Sequence, residues 1–492
     1  MLRLSLLVTI VTSAFCLGAH AITPPPKASA CTACHGPQGQ GGNSIFPRLA
    51  GQPAAYIARQ LEDFKRGIRK NPVMTSPGGG LSATDMRALA SYFSTVDPPF
   101  SQRQAVAVTA DALLQGRLLV TLGDWADGVP ACVSCHGDDL SGVAPDVPAL
   151  AGQPADYLAG ALHRLQIAPG TTLASVTMRK VSRGLTDAEV SAVSAYIATL
   201  KEGERTQADR PAYDASYHPV VLSSDAFSPP PLNAIPTGPD GDAVWQGLQL
   251  MEHTRELASR YVGDNLNCVN CHVDQGRQAG SAPMWAAYVS YPKYRSKNRK
   301  VNTLEERIQG CFRFSMNGTP PATDSPEMTA LVTYFHWLST GLAVGITPNG
   351  AGYTRLAPAP QSPDPKRGAR VYAADCAMCH GGSGQGRNAE GGEVVFPPLW
   401  GPRSFNWGAG MTTIGNTAAF IKANMPYGAG RKLGLQDAWD VAAFVDSRPR
   451  PQDPRFTGDV EKTRMLYHSN GSYYGLVVDG HLLGGPGMPE KN

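Results

Sequence analysis

The pentapeptide Cys-x-x-Cys-His recurs four times along 492 residues, as Cys31-Thr32-Ala33-Cys34-His35, Cys132-Val133-Ser134-Cys135-His136, Cys268-Val269-Asn270-Cys271-His272 and Cys376-Ala377-Met378-Cys379-His380. The pattern attaches c-type haem: two thiols form thioethers to the porphyrin, and the adjacent histidine is thereby held as an axial ligand to iron. A zinc site would need the Cys pairs brought together in twos and leaves the histidine after every pair unexplained. The expectation is four covalently attached c-type haems on Cys31, Cys34, Cys132, Cys135, Cys268, Cys271, Cys376 and Cys379, with His35, His136, His272 and His380 on iron.

Arg3, the apolar run Leu4 to Val11 and the small-x-small site Ala19-His20-Ala21 read as a secretory signal peptide, residues 1–21, cut after Ala21. The mature chain is expected in the periplasm, without a membrane anchor, because no later stretch of about 18 apolar residues is present. With 43 Lys+Arg against 40 Asp+Glu the charge is too balanced for a nucleic-acid binder. Of 10 cysteines, Cys16 leaves with the signal and the haem motifs use all the others except Cys311. An unpaired thiol in an oxidising compartment stands out.

The first two motifs lie in an internal repeat. Leu49-Ala50-Gly51-Gln52-Pro53 and Leu150-Ala151-Gly152-Gln153-Pro154 each begin 18 residues after the first haem cysteine. Each copy closes with a helical pattern, Leu81 to Val96 and Leu185 to Leu200, bearing Tyr92 or Tyr196 near its end. With 53 Gly and 41 Pro, short helices and long loops are expected. Boundaries fall at 22–104 (haem 1), 105–201 (haem 2), a linker at 202–242, 243–345 (haem 3), 346–450 (haem 4) and a tail at 451–492 whose position the sequence leaves open. The fold class is all-α: four class I cytochrome c-like helical domains in tandem, two pairs joined by a linker. The first unit departs from the pattern, since only residues 22–30 precede Cys31, too few for an N-terminal helix.

A soft thioether is the usual second ligand in an electron-transfer cytochrome c. Met74 and Met178 lie 43 and 46 residues beyond their first haem cysteines, and Met425 lies 49 beyond its own. Met411 is a rival in the fourth unit, and Lys422, one helical turn before Met425, places an amine within reach. In the third unit the interval of 43 lands on Cys311, and Met316 follows at 48; either sulfur fits the spacing, the other being a core residue. A helical reading of Thr303 to Asn317 puts Arg307, Cys311 and Ser315 on one face. Arg307 would hold the thiol ionised and offer paired donors to an oxyanion. Arg295, Lys297, Arg299 and Lys300 form a basic run just upstream, which is either a solvated surface or part of the anion site.

At these residues the second half, about Trp245 to Asp446, resembles the tetrathionate-forming thiosulfate dehydrogenases. The likeness rests on Asn267 to His272, Arg307 to Cys311, Ser315-Met316-Asn317-Gly318 and Lys422 to Pro426. The first half resembles the dihaem c4-type cytochromes. The resemblance implies Cys311 as a reactive iron ligand, Arg307, Ser315 and Arg295 as substrate contacts, and an exchange of Lys422 and Met425 at the fourth iron. It also implies thiosulfate and tetrathionate as ligands and a downstream periplasmic electron carrier as partner. A tetrahaem carrier without catalysis, a haem-dependent sulfur transferase and a dihaem peroxidase are the other readings; anaerobic thiosulfate addition separates them.

Overall fold

The computed structural model describes residues 23–99, 108–167, 172–200, 203–217, 227–295, 298, 300–347, 349–389, 392–428, 433–468 and 471–485. The signal peptide, Lys297 and Arg299 lie outside the described residues. Four helical units follow one another, each with its own hydrophobic core.

Three units share one construction, an opening helix crossed by a closing helix. The pairs are Ala110–Thr121 with Asp187–Thr199, Pro239–Glu252 with Pro326–Leu338, and Pro365–Asp375 with Leu435–Asp446. A glycine makes each crossing close. A Cβ on Gly116, Gly247 or Gly368 would fall 2.1, 2.2 or 1.9 Å from the carbonyl oxygen of Ala192, Ala330 or Asp440. An aromatic four residues further along the partner helix, Tyr196, Tyr334 or Phe444, packs beside each glycine. The first unit has only Ala28–His35 in place of the opening helix, and Tyr92 on its closing helix Ala83–Thr95 packs against Phe93. Three of the four closing helices start where the sequence supplies caps: Ser82 and Thr186 each form a capping box, and Ser325 caps Pro326–Leu338, whereas Leu435–Asp446 follows Gly434 with no side-chain cap.

The repeat units meet across a seam on which Gln52 and Gln153 act reciprocally. The linker is pinned rather than loose. Thr206 donates its backbone N–H and its hydroxyl to the Asp138 carbonyl, and Arg205 bridges Asp138 to Glu256. The opening helix of the third unit begins at Pro239, four residues before the expected boundary, because Pro sits in its first turn with Asp240 and Asp242 beside it.

Four two-stranded ribbons are present among the described residues, short enough to leave the fold helical. The tail packs on the fourth unit through Tyr474, Leu483 and the buried Trp407. Asp453 accepts from His468 and Arg455, and the Arg455 guanidinium lies 4.8 Å from the centre of the Phe314 ring. The tail thus reaches the turn that carries Cys311.

Candidate functional site

Each motif histidine is oriented by a carbonyl. Nδ1 of His35, His136 and His380 lies 2.8 Å from the carbonyl oxygen of Pro47, Pro148 and Pro397, and that of His272 lies 2.6 Å from Ala282. A proton on Nδ1 leaves the Nε2 lone pair for a metal. His35 Nε2 is buried with no partner. Two cavities adjoin His35, His136 and His380. One, of about 830 Å³, is lined by Cys31, His35, Met74, His136 and Met178; the other, of about 750 Å³, by His136, Met178, Cys271, His380, Met411 and Met425. Paired thiols, an oriented imidazole with an open lone pair and an apolar hollow faced by a thioether are what a c-type haem requires, so these residues fit the group.

The third unit is built differently. Its helix Leu304–Gly310 is started by a capping box in which Thr303 accepts from the Glu306 N–H and Glu306 accepts from the Thr303 N–H. Glu306 also accepts from Asn302 and Lys300, which tethers the ribbon Lys293–Arg295/Lys300–Asn302 to the helix start. Beyond Gly310 the chain widens into one turn of π-helix, Cys311–Ser315, closed by the Met316 N–H donating to the Cys311 carbonyl. Such turns are concentrated at functional sites.

On this turn Arg307 Nη1 donates to Cys311 Sγ at 2.9 Å. His272 lies near enough to act on this sulfur electrostatically, so the histidine of the third motif and the orphan thiol are brought together. Burial pushes the Cys311 thiol up, but the Arg307 charge, then the neighbouring His272 and Arg295, outweigh it and bring the thiol down to about 6. Burial pushes Cys268 and Cys271 the other way, to about 12. Cys311 is therefore set apart as a ready thiolate.

Of the other expected residues, Arg295 reaches the site as a charge and donates to the Tyr291 hydroxyl at 3.2 Å. Lys300 is drawn off into its pair with Glu306. Ser315 closes the π-turn, and among the described residues its side chain makes no hydrogen bond to Cys311 or Arg307. Met316 is buried in the core with Ile308 and Phe312. In the fourth unit Met425 follows the helix Ile414–Asn424 and lines the cavity, whereas the Lys422 amine donates to the Leu433 carbonyl. Tyr291 and Tyr353 are the residues sequence reasoning missed. Tyr353 senses the charges of Cys271, Arg307 and Cys311, and it arrives because Ser281 bridges to it in the segment that also receives His272. A tyrosine 42 residues from Cys311 carries no signal of this in the chain.

The cavities also link the units. Cys135 and Cys379 are near enough to act on each other electrostatically, the turn Val133–His136 packs on the strand Val394–Phe396, and Tyr427 stacks edge-on against Trp125. Residues of the second motif line both hollows.

Residues 260–344 match the family model for the SoxA/TsdA cytochrome c domain, 363–445 that for cytochrome c oxidase, cbb3-type, subunit III, and 27–97 and 129–201 that for cytochrome c. A thiosulfate dehydrogenase of Thiomonas intermedia (strain K12) is 54% identical over 272 residues, 55% of this chain and 86% of that protein. The thiosulfate dehydrogenase electron acceptor of the same organism is 39% identical over 175 residues, 35% of this chain and 80% of that protein. The solved structure of thiosulfate dehydrogenase (TsdBA) from Marichromatium purpuratum, in its as-isolated form, has 41% identity and a TM-score of 0.82, covering 92% of this chain and 95% of that one. With an acceptor-like half and an enzyme-like half in one polypeptide, the chain belongs to the thiosulfate dehydrogenase family.

Proposed function

We propose that this chain oxidatively couples two thiosulfate dianions to tetrathionate at Cys311, and that its first half serves as a built-in electron acceptor. The observation that carries the reading is the Arg307 guanidinium 2.9 Å from the Cys311 sulfur, with His272 near enough to act on the same sulfur. Four haems would be held at the four motifs, their irons by His35 and Met74, His136 and Met178, His272 and Cys311, and His380 and Met425. Bound there, the haems supply the one-electron acceptors that a two-electron coupling needs. Lys422 is the alternative to Met425 at the fourth site. The chain works in the periplasm after loss of residues 1–21 and hands its electrons to a periplasmic carrier.

The chemistry at Cys311 follows from charge. Two dianions repel, and Arg307 with Arg295 offsets that repulsion in a half-buried site where charge is poorly screened. The Cys311 thiolate and the outer sulfur of the first thiosulfate form an S–S bond with loss of two electrons, leaving a cysteinyl S-thiosulfonate. The outer sulfur of the second thiosulfate attacks the sulfane sulfur of that adduct, releases tetrathionate and returns the thiolate. No proton is required, because Arg307 holds the sulfur ionised at both ends of the cycle. Ser315 and Tyr353 are assigned the orienting of the sulfonate oxygens.

Anaerobic thiosulfate should reduce the oxidised holoprotein and yield tetrathionate. Cys311→Gly should retain four haems and form none; a Cys311→Gly protein that still makes tetrathionate would end the covalent reading.

A further inference from the structure

The turn that carries Cys311 is held from outside its own unit. A helix end leaves its last carbonyls without partners in the helix, and buried ones must find them elsewhere. On the π-turn the Cys311 carbonyl accepts from the Met316 N–H and the Phe312 carbonyl from the Gly318 N–H, at 2.9 and 2.8 Å. The next two carbonyls are answered by one residue of the fourth unit. Asn406 Nδ2 donates to the Arg313 carbonyl at 2.9 Å, and the Asn406 backbone N–H donates to the Phe314 carbonyl at 3.2 Å. Nδ2 also donates to Asn317 Oδ1 at 3.0 Å, where Asn317 takes the chain out of the turn with a φ of 43°.

Asn406 is fully buried, and its amide faces one way only. Its Oδ1 accepts from the Gly408 N–H at 3.0 Å, which leaves both Nδ2 hydrogens for the turn. The loop around it is fixed in its own right: the Trp407 N–H donates to the Pro451 carbonyl, and the Thr412 hydroxyl donates to the carbonyls of Trp407 and Ala409. Gly408 presses on the same turn, since a Cβ there would fall 2.4 Å from Phe314 Cδ1. A π-turn is one residue out of step with an α-helix. Were the Met316 N–H to move from the Cys311 carbonyl to that of Phe312, the ordinary ladder would return and the residues after Cys311 would swing about the helix axis. That swing would carry the Arg313 and Phe314 carbonyls away from Asn406.

We infer that Asn406 is a positioning residue for the coupling reaction: by holding the wide turn open from the fourth unit, it sets the Cys311 sulfur against the Arg307 guanidinium. The inference rests on the proposed role of Cys311 and adds that the fourth unit, besides passing electrons, builds the geometry of the thiolate. Asn406 acts through the backbone two and three residues beyond the thiol; its hydrogen bonds go to the turn and not to the sulfur. A misplacement of about 1 Å at a reacting group costs up to about 10²-fold in rate, so a side chain outside the chemistry can still govern it.

The test uses full-length holoprotein carrying Asn406→Ala or Asn406→Asp. The aspartate nearly keeps the volume and keeps the acceptor for Gly408, but has no N–H for the turn. Haem content is read by mass, the ligation of the third haem by its low-spin electron paramagnetic resonance signal, and kcat and KM from tetrathionate formation. Both variants should load four haems, shift the third haem's signal and lose roughly 10- to 100-fold in kcat with a smaller change in KM. An unmoved signal and an unmoved kcat in folded, fully loaded variants would overturn the inference, even if the melting temperature falls. So would an aspartate variant that behaves as the parent does, because Asn406 would then contribute only its volume. If neither variant loads haem, Asn317→Gly is read instead: glycine keeps the positive φ and removes one acceptor of the clasp, so a shifted signal supports the inference and an unmoved one overturns it. A parent protein that makes no tetrathionate, or whose Cys311→Gly form still makes it, defeats the role of Cys311 itself, a result seen before any change at Asn406.

Discussion

Gln52 and Gln153 hold the same step of the two repeats, and each grips the backbone of the other. Gln52 Nε2 donates to the Ala149 carbonyl at 2.8 Å while its Oε1 accepts from the Ala149 N–H at 3.0 Å. Gln153 does the same to Arg48, at 2.9 and 3.1 Å. Ala149 and Arg48 each stand immediately before the repeat leucine, so the clasp obeys a local two-fold. A side chain that satisfies one buried donor and one buried acceptor in a single residue sets the seam without requiring apolar area.

Gln153→Ala should therefore strand two buried backbone groups and destabilise the first two units by about 2 to 4 kcal/mol. Calorimetry of the holoprotein should show an early transition moved down by several degrees. Gln153→Glu, which keeps the acceptor and loses the donor, should fall between.

Arg307→Met should remove the cation and the hydrogen bond from Cys311. Its thiol, held at about 6 with Arg307 present, is ionised above that pH and protonates below it; without Arg307 the acid limb of turnover should move to higher pH. Turnover at neutral pH should fall by roughly 10²- to 10³-fold, as for loss of one positioned donor at a developing charge. A pH–rate profile with an unmoved acid limb would argue that Arg307 only binds substrate.

Met316→Leu tests the rival sulfur. Because Met316 is a core residue among Ile308 and Phe312, this volume-conserving exchange should cost under about 1.5 kcal/mol and leave the third haem's spectrum as it was. Cys311→Met should change that spectrum toward histidine–thioether ligation. The opposite pair of results would transfer the ligand role to Met316.

Gly247→Ala places a Cβ 2.2 Å from the Ala330 carbonyl oxygen. Helix propensity alone favours alanine by about 1 kcal/mol, and the clash opposes it by about 1 to 3 kcal/mol or more, since the crossing helices must part. Net destabilisation of the third unit is expected, read as reduced resistance to thermal unfolding; a more stable variant would show that the crossing can open freely.

What the chain declares by itself is covalent and periodic. Four Cys-x-x-Cys-His motifs dictate the cofactor chemistry because thiol spacing and the following histidine are local properties. The repeat with its glutamine, the closing helices of its two copies and the orphan Cys311 were readable for the same reason, and so was the shortened opening of the first unit, where too little chain precedes Cys31. The i to i+4 step from Arg307 to Cys311 survived because both sit within about one helical turn.

Tertiary structure alone decided what lies between distant segments. Met316 and Cys311 both fit the spacing, with the interval of 43 pointing to Cys311; the fold puts the thioether in the core and the thiol beside Arg307. Tyr353 enters through a bridge to Ser281, and Arg69 meets Tyr157 across a seam 88 residues apart in sequence. The tail, whose place the chain left open, reaches Phe314 through Arg455. Charge and burial act through space, so a sequence lists the groups that can ionise while only the fold determines which of them face one another without water between.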